Sequence, residues 1–217
     1  MKRVLDASEV DRLLGTFSRA PTSIRNRALV HTLWRSGLRL GEALALMPKD
    51  LDREAGWITV RHGKGDKERI VAMGSLAWDD LERWLAIRRA HKVGSRSPVF
   101  CTLMRKSFGE PLSQPYVRGM LKRKARQAGF DDPGRVHAHA LRHAFAVEHH
   151  RSGEPLDHLR RLLGHGSLAV TLAYLARIDP SEALESAQSL GTPEPPSEIE
   201  QLRREVAELR RLIPAIQ

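Results

Sequence analysis

The sequence predicts a mainly α-helical fold with one small antiparallel β-sheet, which makes this an α+β protein. Apolar residues recur at helical spacing along most of the chain, and capping residues or glycines mark the ends of those stretches. Only two neighbouring runs, residues 57–61 and 68–72, are rich in β-forming side chains. With 217 residues, the chain is long enough to bury one substantial core.

The first two helices are predicted from the signals at their ends. Asp6 followed by Glu9 has the spacing of a capping box, in which each side chain bonds the other residue's backbone N–H. A second helix is expected to run from residue 22 to Gly37. Gly37 would stand just past the last turn, where the chain needs the left-handed backbone that glycine adopts without strain.

A short third helix is expected over residues 40–47, because Pro48 cannot continue a helix. The break at Gly37 therefore places Arg39 at a corner between two helices. Further on, residues 62–67 are expected to join the two β-rich runs as a hairpin, with Lys64 near its tip.

The remaining periodic segments of the chain are predicted to be helical. They are residues 76–90, 113–128, 139–151, 156–163 and 167–175. Since no internal repeat is visible, we expect residues 1–190 to form one domain.

The composition changes at residues 191–197, a proline-rich stretch that is typical of a stiff linker. Residues 198–217 then carry an amphipathic, coiled-coil-like helical pattern with apolar spacings of three and four. The apolar positions are Ile199, Leu202, Val206, Leu209 and Ile213. β-branched residues and leucines alternate there, which predicts either a parallel two-stranded coil or a helix folded back on its own domain.

The net charge of +10 indicates a polyanionic partner. About a dozen Lys and Arg stand between residues 83 and 126 against the single acid Glu110, and neutralising phosphates with them would make binding salt-sensitive. A solvated basic face is the alternative interpretation. A membrane is not expected, because every apolar run is far shorter than the ~20 residues that a spanning helix needs.

Cys101 is the only cysteine, so no internal disulfide can form and a reducing cytoplasm is the expected setting. Its apolar neighbours predict a buried structural thiol rather than a nucleophile.

Several segments carry the groups that are needed to break a phosphodiester with a protein side chain. That chemistry requires a nucleophile, cations on the non-bridging oxygens, a proton donor for the leaving oxygen, and a base. The segments are, in order, Gly37-Leu38-Arg39-Leu40-Gly41-Glu42, Gly63-Lys64-Gly65-Asp66-Lys67-Glu68-Arg69, His139-Ala140-Leu141-Arg142-His143, Leu163-Gly164-His165 and Tyr174.

These motifs, in this order, resemble the catalytic domain of the tyrosine recombinases, which are the phage-integrase-like site-specific recombinases. The resemblance covers most of the chain. It implies an enzyme that cuts and rejoins double-stranded DNA through a 3′-phosphotyrosyl ester. Because the ester conserves the bond energy, the resemblance implies that neither ATP, a metal nor another cofactor is required.

The resemblance also implies a role for each catalytic candidate. Tyr174 matches the nucleophile, while Arg39 and Arg142 match the two arginines that hold the phosphate. A guanidinium suits that role because its planar fork stays charged at any working pH. Lys64 matches the general acid for the leaving 5′ oxygen, and Lys67 on the same turn is the local competitor.

His139 and His165 complete the implied site, the first assisting proton transfer and the second hydrogen-bonding the phosphate. Glu42 is expected to orient the first arginine, and His143 to be a buried neighbour. His139 and His143 have the spacing of zinc ligands on a helix, but the glutamate of zinc hydrolases is missing between them. Arg142 would also repel a dication, so no metal site is predicted.

The chain differs from most family members at both ends. It starts almost at the catalytic domain, as in the short invertase-like members, so the N-terminal DNA-binding domain is expected to be lacking and target specificity to be limited. In relatives, the helix after the tyrosine docks onto a neighbouring subunit. Residues 181–190 and the terminal coil are therefore expected to support a homo-oligomer on DNA, and the need for a helper protein is left open.

Two other functions remain open. One is a type IB topoisomerase-like enzyme, which would relax plasmids without a specific site. The other is a non-catalytic DNA-binding accessory protein or regulator, which would bind tightly without forming a covalent adduct. The second tyrosine, Tyr116, is expected either in the core or against the DNA backbone.

Overall fold

The structure, a computed structural model, describes residues 4–61 and 68–178. This part is mostly helical with one small antiparallel sheet, which confirms the predicted fold class. The expected hairpin tip with Lys64 and Lys67 lies outside the described residues. So do residues 181–190, the linker at 191–197 and the helix expected at 198–217.

The predicted helices and strands occur in the predicted order, and one further strand, Leu51–Asp52, precedes the two predicted ones. The helices are α1 (Ala7–Gly15), α2 (Pro21–Ser36), α3 (Leu40–Ala45), α4 (Ser75–Ala90), α5 (Gln114–Gln127), α6 (Ala138–Arg151), α7 (Leu156–Leu163) and α8 (Leu168–Ile178). The strands are β1 (Leu51–Asp52), β2 (Trp57–Val60) and β3 (Arg69–Ala72), in the order β1-β2-β3.

The predicted helix ends are largely confirmed. The Asp6 carboxylate accepts from the Glu9 backbone N–H at 2.9 Å, and the Glu9 carboxylate accepts from that of Asp6 at 3.1 Å. Gly37 follows α2 with φ of 62°, as its position required. The third helix is shorter than predicted and ends at Ala45, because Leu46 already takes an extended backbone ahead of the proline turn.

Two cores hold the helices together. The main core packs α2 against α4 and α6 and buries the indoles of Trp34, Trp78 and Trp84. A smaller cluster of Phe145, Leu159, Leu163 and Leu175 packs α6, α7 and α8 together.

Cys101 is fully buried, as predicted. None of the helices in the described ranges is both long enough and apolar enough to cross a membrane.

We predict that Gly37→Ala destabilises the protein by about 2–5 kcal/mol. An alanine there would be strained by the positive φ, and its Cβ would lie 2.5 Å from Cδ1 of Phe145. Gly129→Ala is the matched control, because Gly129 has φ of 70° but no atom within 4 Å of the added carbon. Urea unfolding measures both variants. An equal decrease in the free energy of unfolding in both variants would show that the contact with Phe145 contributes nothing.

Candidate active site

Arg142 is the buried centre of the site. Its side chain projects from α6, and the residue is only 2% exposed. Nη1 donates to the carbonyl of Gly37 at 2.6 Å, and Nη2 donates to the carbonyl of Leu163 at 2.5 Å. These bonds use two of its five N–H groups. Arg142 therefore joins the corner after α2 to the end of α7 and still offers donors to a bound anion.

Arg39 lies at that corner, at the N-cap position of α3. Its Nη1 donates to Oε1 of Glu42 at 3.0 Å, and its backbone N–H donates to Oε2 at 2.8 Å. The Arg39 side chain is 32% exposed, whereas the Glu42 side chain is 7% exposed. Glu42 thus holds Arg39 from the buried side, in the arrangement expected from the sequence.

A cavity of about 400 Å³ opens between α3, α5 and α6. Arg39, Arg142 and His139 line it, together with Arg118 from α5 and His137 at the start of α6. Three guanidinium groups around one cavity make it a strong site for an anion.

His165 follows α7 after Gly164, whose φ of 63° ends that helix. Its Nε2 lies 3.4 Å from Nη2 of Arg142, and its Nδ1 lies 3.1 Å from Oγ1 of Thr171. An arginine only donates, so this geometry fits a neutral ring with the proton on Nδ1. Burial, followed by the charges of Arg142, Arg39 and Arg69, lowers the pKa of His165 to about 4.

Tyr174 lies on α8 between two imidazole rings. Its ring centroid is 5.1 Å from that of His165 and 5.3 Å from that of His143. The hydroxyl is buried and has no hydrogen-bond partner of normal geometry within the described residues. Burial raises the pKa of Tyr174, while the nearby Arg142 guanidinium partly opposes that effect. The phenol is therefore protonated in the unbound protein.

The two histidines of α6 are one turn apart, with ring centroids separated by 6.1 Å. Burial lowers the pKa of His139, and the charges of Arg142, Arg39 and Arg177 add to the effect. Burial likewise lowers the pKa of His143 to about 4, with the neighbouring histidines as the next cause. The site therefore offers neutral imidazoles beside a phenol.

Five of the six catalytic candidates come together in this arrangement. They are Arg39, His139, Arg142, His165 and Tyr174, and the sixth, Lys64, lies outside the described residues. Tyr116 is elsewhere, because its hydroxyl accepts hydrogen bonds from Arg25 at 2.7 Å and Asn26 at 3.0 Å.

Some residues near the site were not predicted. Arg69 bonds both oxygens of Glu42 from 27 residues away, and Arg177 follows the nucleophile candidate by one turn of α8. His137 was not among the predicted site residues, but it lines the cavity and caps α6. Arg177 could have been predicted from the sequence, because it stands one helical turn after Tyr174. The contact between Arg69 and Glu42 could not, because 27 residues separate them.

Comparison with known proteins identifies the family. Residues 3–179 match the phage integrase family. The chain belongs to that family. The tyrosine recombinase XerC of Xanthomonas axonopodis pv. citri (strain 306) is 39% identical over 175 residues, which is 80% of this chain and 54% of the relative. XerC of Xylella fastidiosa (strain M23) is 34% identical over 174 residues, covering 80% of this chain and 56% of the relative.

Solved structures of the same family share the fold. The XerA recombinase superposes with a TM-score of 0.71 at 27% identity, over 90% of this chain and 65% of that one. The XerH recombinase, in a post-cleavage complex with a palindromic difH substrate, gives 0.70 at 30% identity, over 87% and 53% of the two chains. This integrase-family chain spans about half the length of the XerC relatives that it matches.

We predict that the protein loses stability as the pH falls from ~6.5 toward ~4. The folded-state pKa values of His143 and His165 are about 4, whereas an unfolded histidine has a pKa of ~6.5. Within that window the unfolded chain binds protons that the folded protein does not, so the free energy of unfolding decreases. Urea unfolding at several pH values measures the slope.

His143→Gln and His165→Gln should each flatten that slope. His91→Gln, at an exposed position after α4, controls for the loss of an imidazole. A slope that neither site variant changes would contradict the prediction.

Proposed function

We propose that the protein is a site-specific DNA recombinase that cuts and rejoins double-stranded DNA through Tyr174. The observation that carries the proposal is that Arg39, Arg142 and His139 line one cavity, while Arg142 also lies 3.4 Å from His165. The His165 ring in turn lies 5.1 Å from that of Tyr174. Family membership supports it, as do the XerC relatives, which are named tyrosine recombinases, and XerH, a site-specific recombinase bound to its difH substrate.

The cleavage step exchanges one phosphate ester for another. Oη of Tyr174 forms a bond to the phosphorus, and the bond from phosphorus to the 5′ oxygen breaks. The phenol proton passes to a neutral imidazole, for which His165 and His139 are the candidates. The leaving 5′ oxygen takes a proton from Lys64. Reversal of the step on a new 5′ hydroxyl rejoins the strand.

The two arginines stabilise the negative charge that builds up on the phosphate during this step. Arg142 is fixed by backbone carbonyls and Arg39 by Glu42, so neither has to reorganise when the phosphate binds. A bound phosphate also offsets the positive charge around the imidazoles, which makes proton uptake by them easier than in the unbound protein.

Assembly on DNA is the second part of the proposal. Residues 1–190 are proposed as the catalytic domain, residues 191–197 as a linker, and residues 198–217 as a helix for self-association. Residues 181–190 and the terminal helix would then join copies on the DNA.

A reducing cytoplasm remains the proposed setting, since the only cysteine, Cys101, is buried. The relatives do not favour a topoisomerase.

We predict that Tyr174→Phe abolishes the covalent adduct and leaves folding and DNA binding nearly unchanged. The hydroxyl makes no hydrogen bond of normal geometry with the described residues, so its removal should cost little stability. The assay uses a pool of nicked duplexes with randomised sequence at the nick. After cleavage, the short fragment next to the nick is lost, so the strand cannot be rejoined and the adduct accumulates. A denaturing gel detects the adduct. Sequencing the trapped DNA also gives the target.

Tyr116→Phe is the matched control for that experiment. It loses the bonds to Arg25 and Asn26 and should be less stable, yet it should still form the adduct. Adduct formation by Tyr174→Phe would overturn the assignment of the nucleophile. Absence of an adduct with the unaltered protein would overturn the enzymatic function and favour a DNA-binding accessory protein.

We predict that Lys64→Ala slows cleavage and that a better leaving group restores it. A 5′ sulfur in place of the leaving oxygen departs as a thiolate and needs no proton, so the general acid becomes dispensable. Cleavage rates on oxygen and sulfur duplexes measure the effect. Lys67→Ala is the control, and rescue of that variant instead would move the role of general acid to Lys67.

A further inference from the structure

Arg69 makes a three-way contact that the proposed mechanism does not use. It is the first residue of β3, and its side chain is only 10% exposed. Nη1 donates to Oε1 of Glu42 at 3.0 Å, and Nη2 donates to Oε2 at 2.7 Å. Nε donates to the carbonyl of Leu162 at 3.1 Å. One guanidinium thereby joins the sheet, α3 and the end of α7.

The chain approaches this guanidinium closely at Gly164. A Cβ built on Gly164 would lie 3.0 Å from Cζ of Arg69, which is closer than nine in ten real Cβ contacts. Gly164 is followed directly by His165. The turn that carries His165 is therefore packed against Arg69, as well as bonded to it through Leu162.

Glu42 connects Arg69 to the phosphate cavity. Its Oε1 accepts from both Arg69 and Arg39, so the carboxylate lies between the two guanidiniums. Burial opposes ionisation of Glu42, but the hydrogen bonds from Arg69, followed by those from Arg39, outweigh it and keep its pKa below the ordinary value. Without Arg69, Glu42 would lose two of its charged hydrogen bonds.

We infer that Arg69 is a positioning residue, which fixes Arg39 through Glu42 and fixes the turn before His165 through Leu162. The inference rests on the proposed function. All three donor nitrogens of Arg69 are bonded to Glu42 and Leu162, so we assign it the role of holding these neighbours in place and not of contacting the phosphate. Its planar fork suits three bonds in one plane, which an ammonium does not reproduce. The placement of the Arg39 guanidinium and that of the His165 imidazole therefore both depend on Arg69, a residue of β3.

We predict that Arg69→Gln lowers the rate of adduct formation by ~10–100-fold, because small displacements of positioning groups have effects of that order. The rate of adduct formation by Arg69→Lys should lie between those of Arg69→Gln and the unaltered protein. Binding of the duplex pool should change little. Arg27→Gln is the matched control, because Arg27 also bonds both oxygens of a buried carboxylate, that of Asp80, at 2.9 and 3.0 Å.

The pH profile separates positioning from general destabilisation. In Arg69→Gln the pKa of Glu42 should rise, so as the pH is lowered the adduct rate should begin to fall at a higher pH than in the unaltered protein. The double variant Glu42→Gln/Arg69→Gln should lack this earlier fall. Carbon-13 NMR titration of the Glu42 carboxyl tests the same link without DNA.

The outcomes are distinguishable from those of the proposed function. If the unaltered protein forms the adduct while Arg69→Gln behaves like Arg27→Gln in rate and pH profile, the positioning role is wrong and the recombinase function stands. An unchanged pKa of Glu42 in Arg69→Gln would overturn the link through Glu42. If no adduct forms with the unaltered protein, the proposed function itself fails.

Discussion

The site depends on one buried charge, the guanidinium of Arg142. Removing a charge from water is costly unless polar partners replace the solvent, and here the carbonyls of Gly37 and Leu163 do so. Both carbonyls belong to helix ends, where backbone oxygens lack helical partners. The bonds hold two distant parts of the chain at fixed places. Burial, followed by the charge of Arg39, lowers the pKa of Arg142 to about 10, so it still carries its charge at neutral pH.

Burial, with positive charge second, determines the protonation of the other groups. Arg39, Arg69 and Arg142 surround a single buried carboxylate, that of Glu42, so cations are in excess within the described site. Together with burial, this excess keeps the imidazoles neutral and would favour an anion in the cavity. The phenol nevertheless stays protonated, because its burial has the larger effect. A bound phosphate, as an anion, would neutralise part of this excess positive charge.

Local signals in the sequence predicted most of the fold. The capping box at Asp6 and the glycine at position 37 depend only on neighbouring residues, so they were predicted correctly. Strand β1 was missed, because two residues carry no periodic pattern. The end of α3 was placed two residues too late, since the extended backbone before Pro48 overrode the apolar pattern.

The sequence by itself determined which chemical groups are available and in what order, because residue types and motif spacing are local properties. It supplied the phenol, the arginine forks and the histidines. Only the tertiary structure decided that Arg69 would reach Glu42, that Leu163 would accept from Arg142, and that the hydroxyl of Tyr174 would be buried. These contacts join residues far apart in the chain, so they follow from how α3, α6 and α7 pack around the sheet and not from any short stretch of sequence.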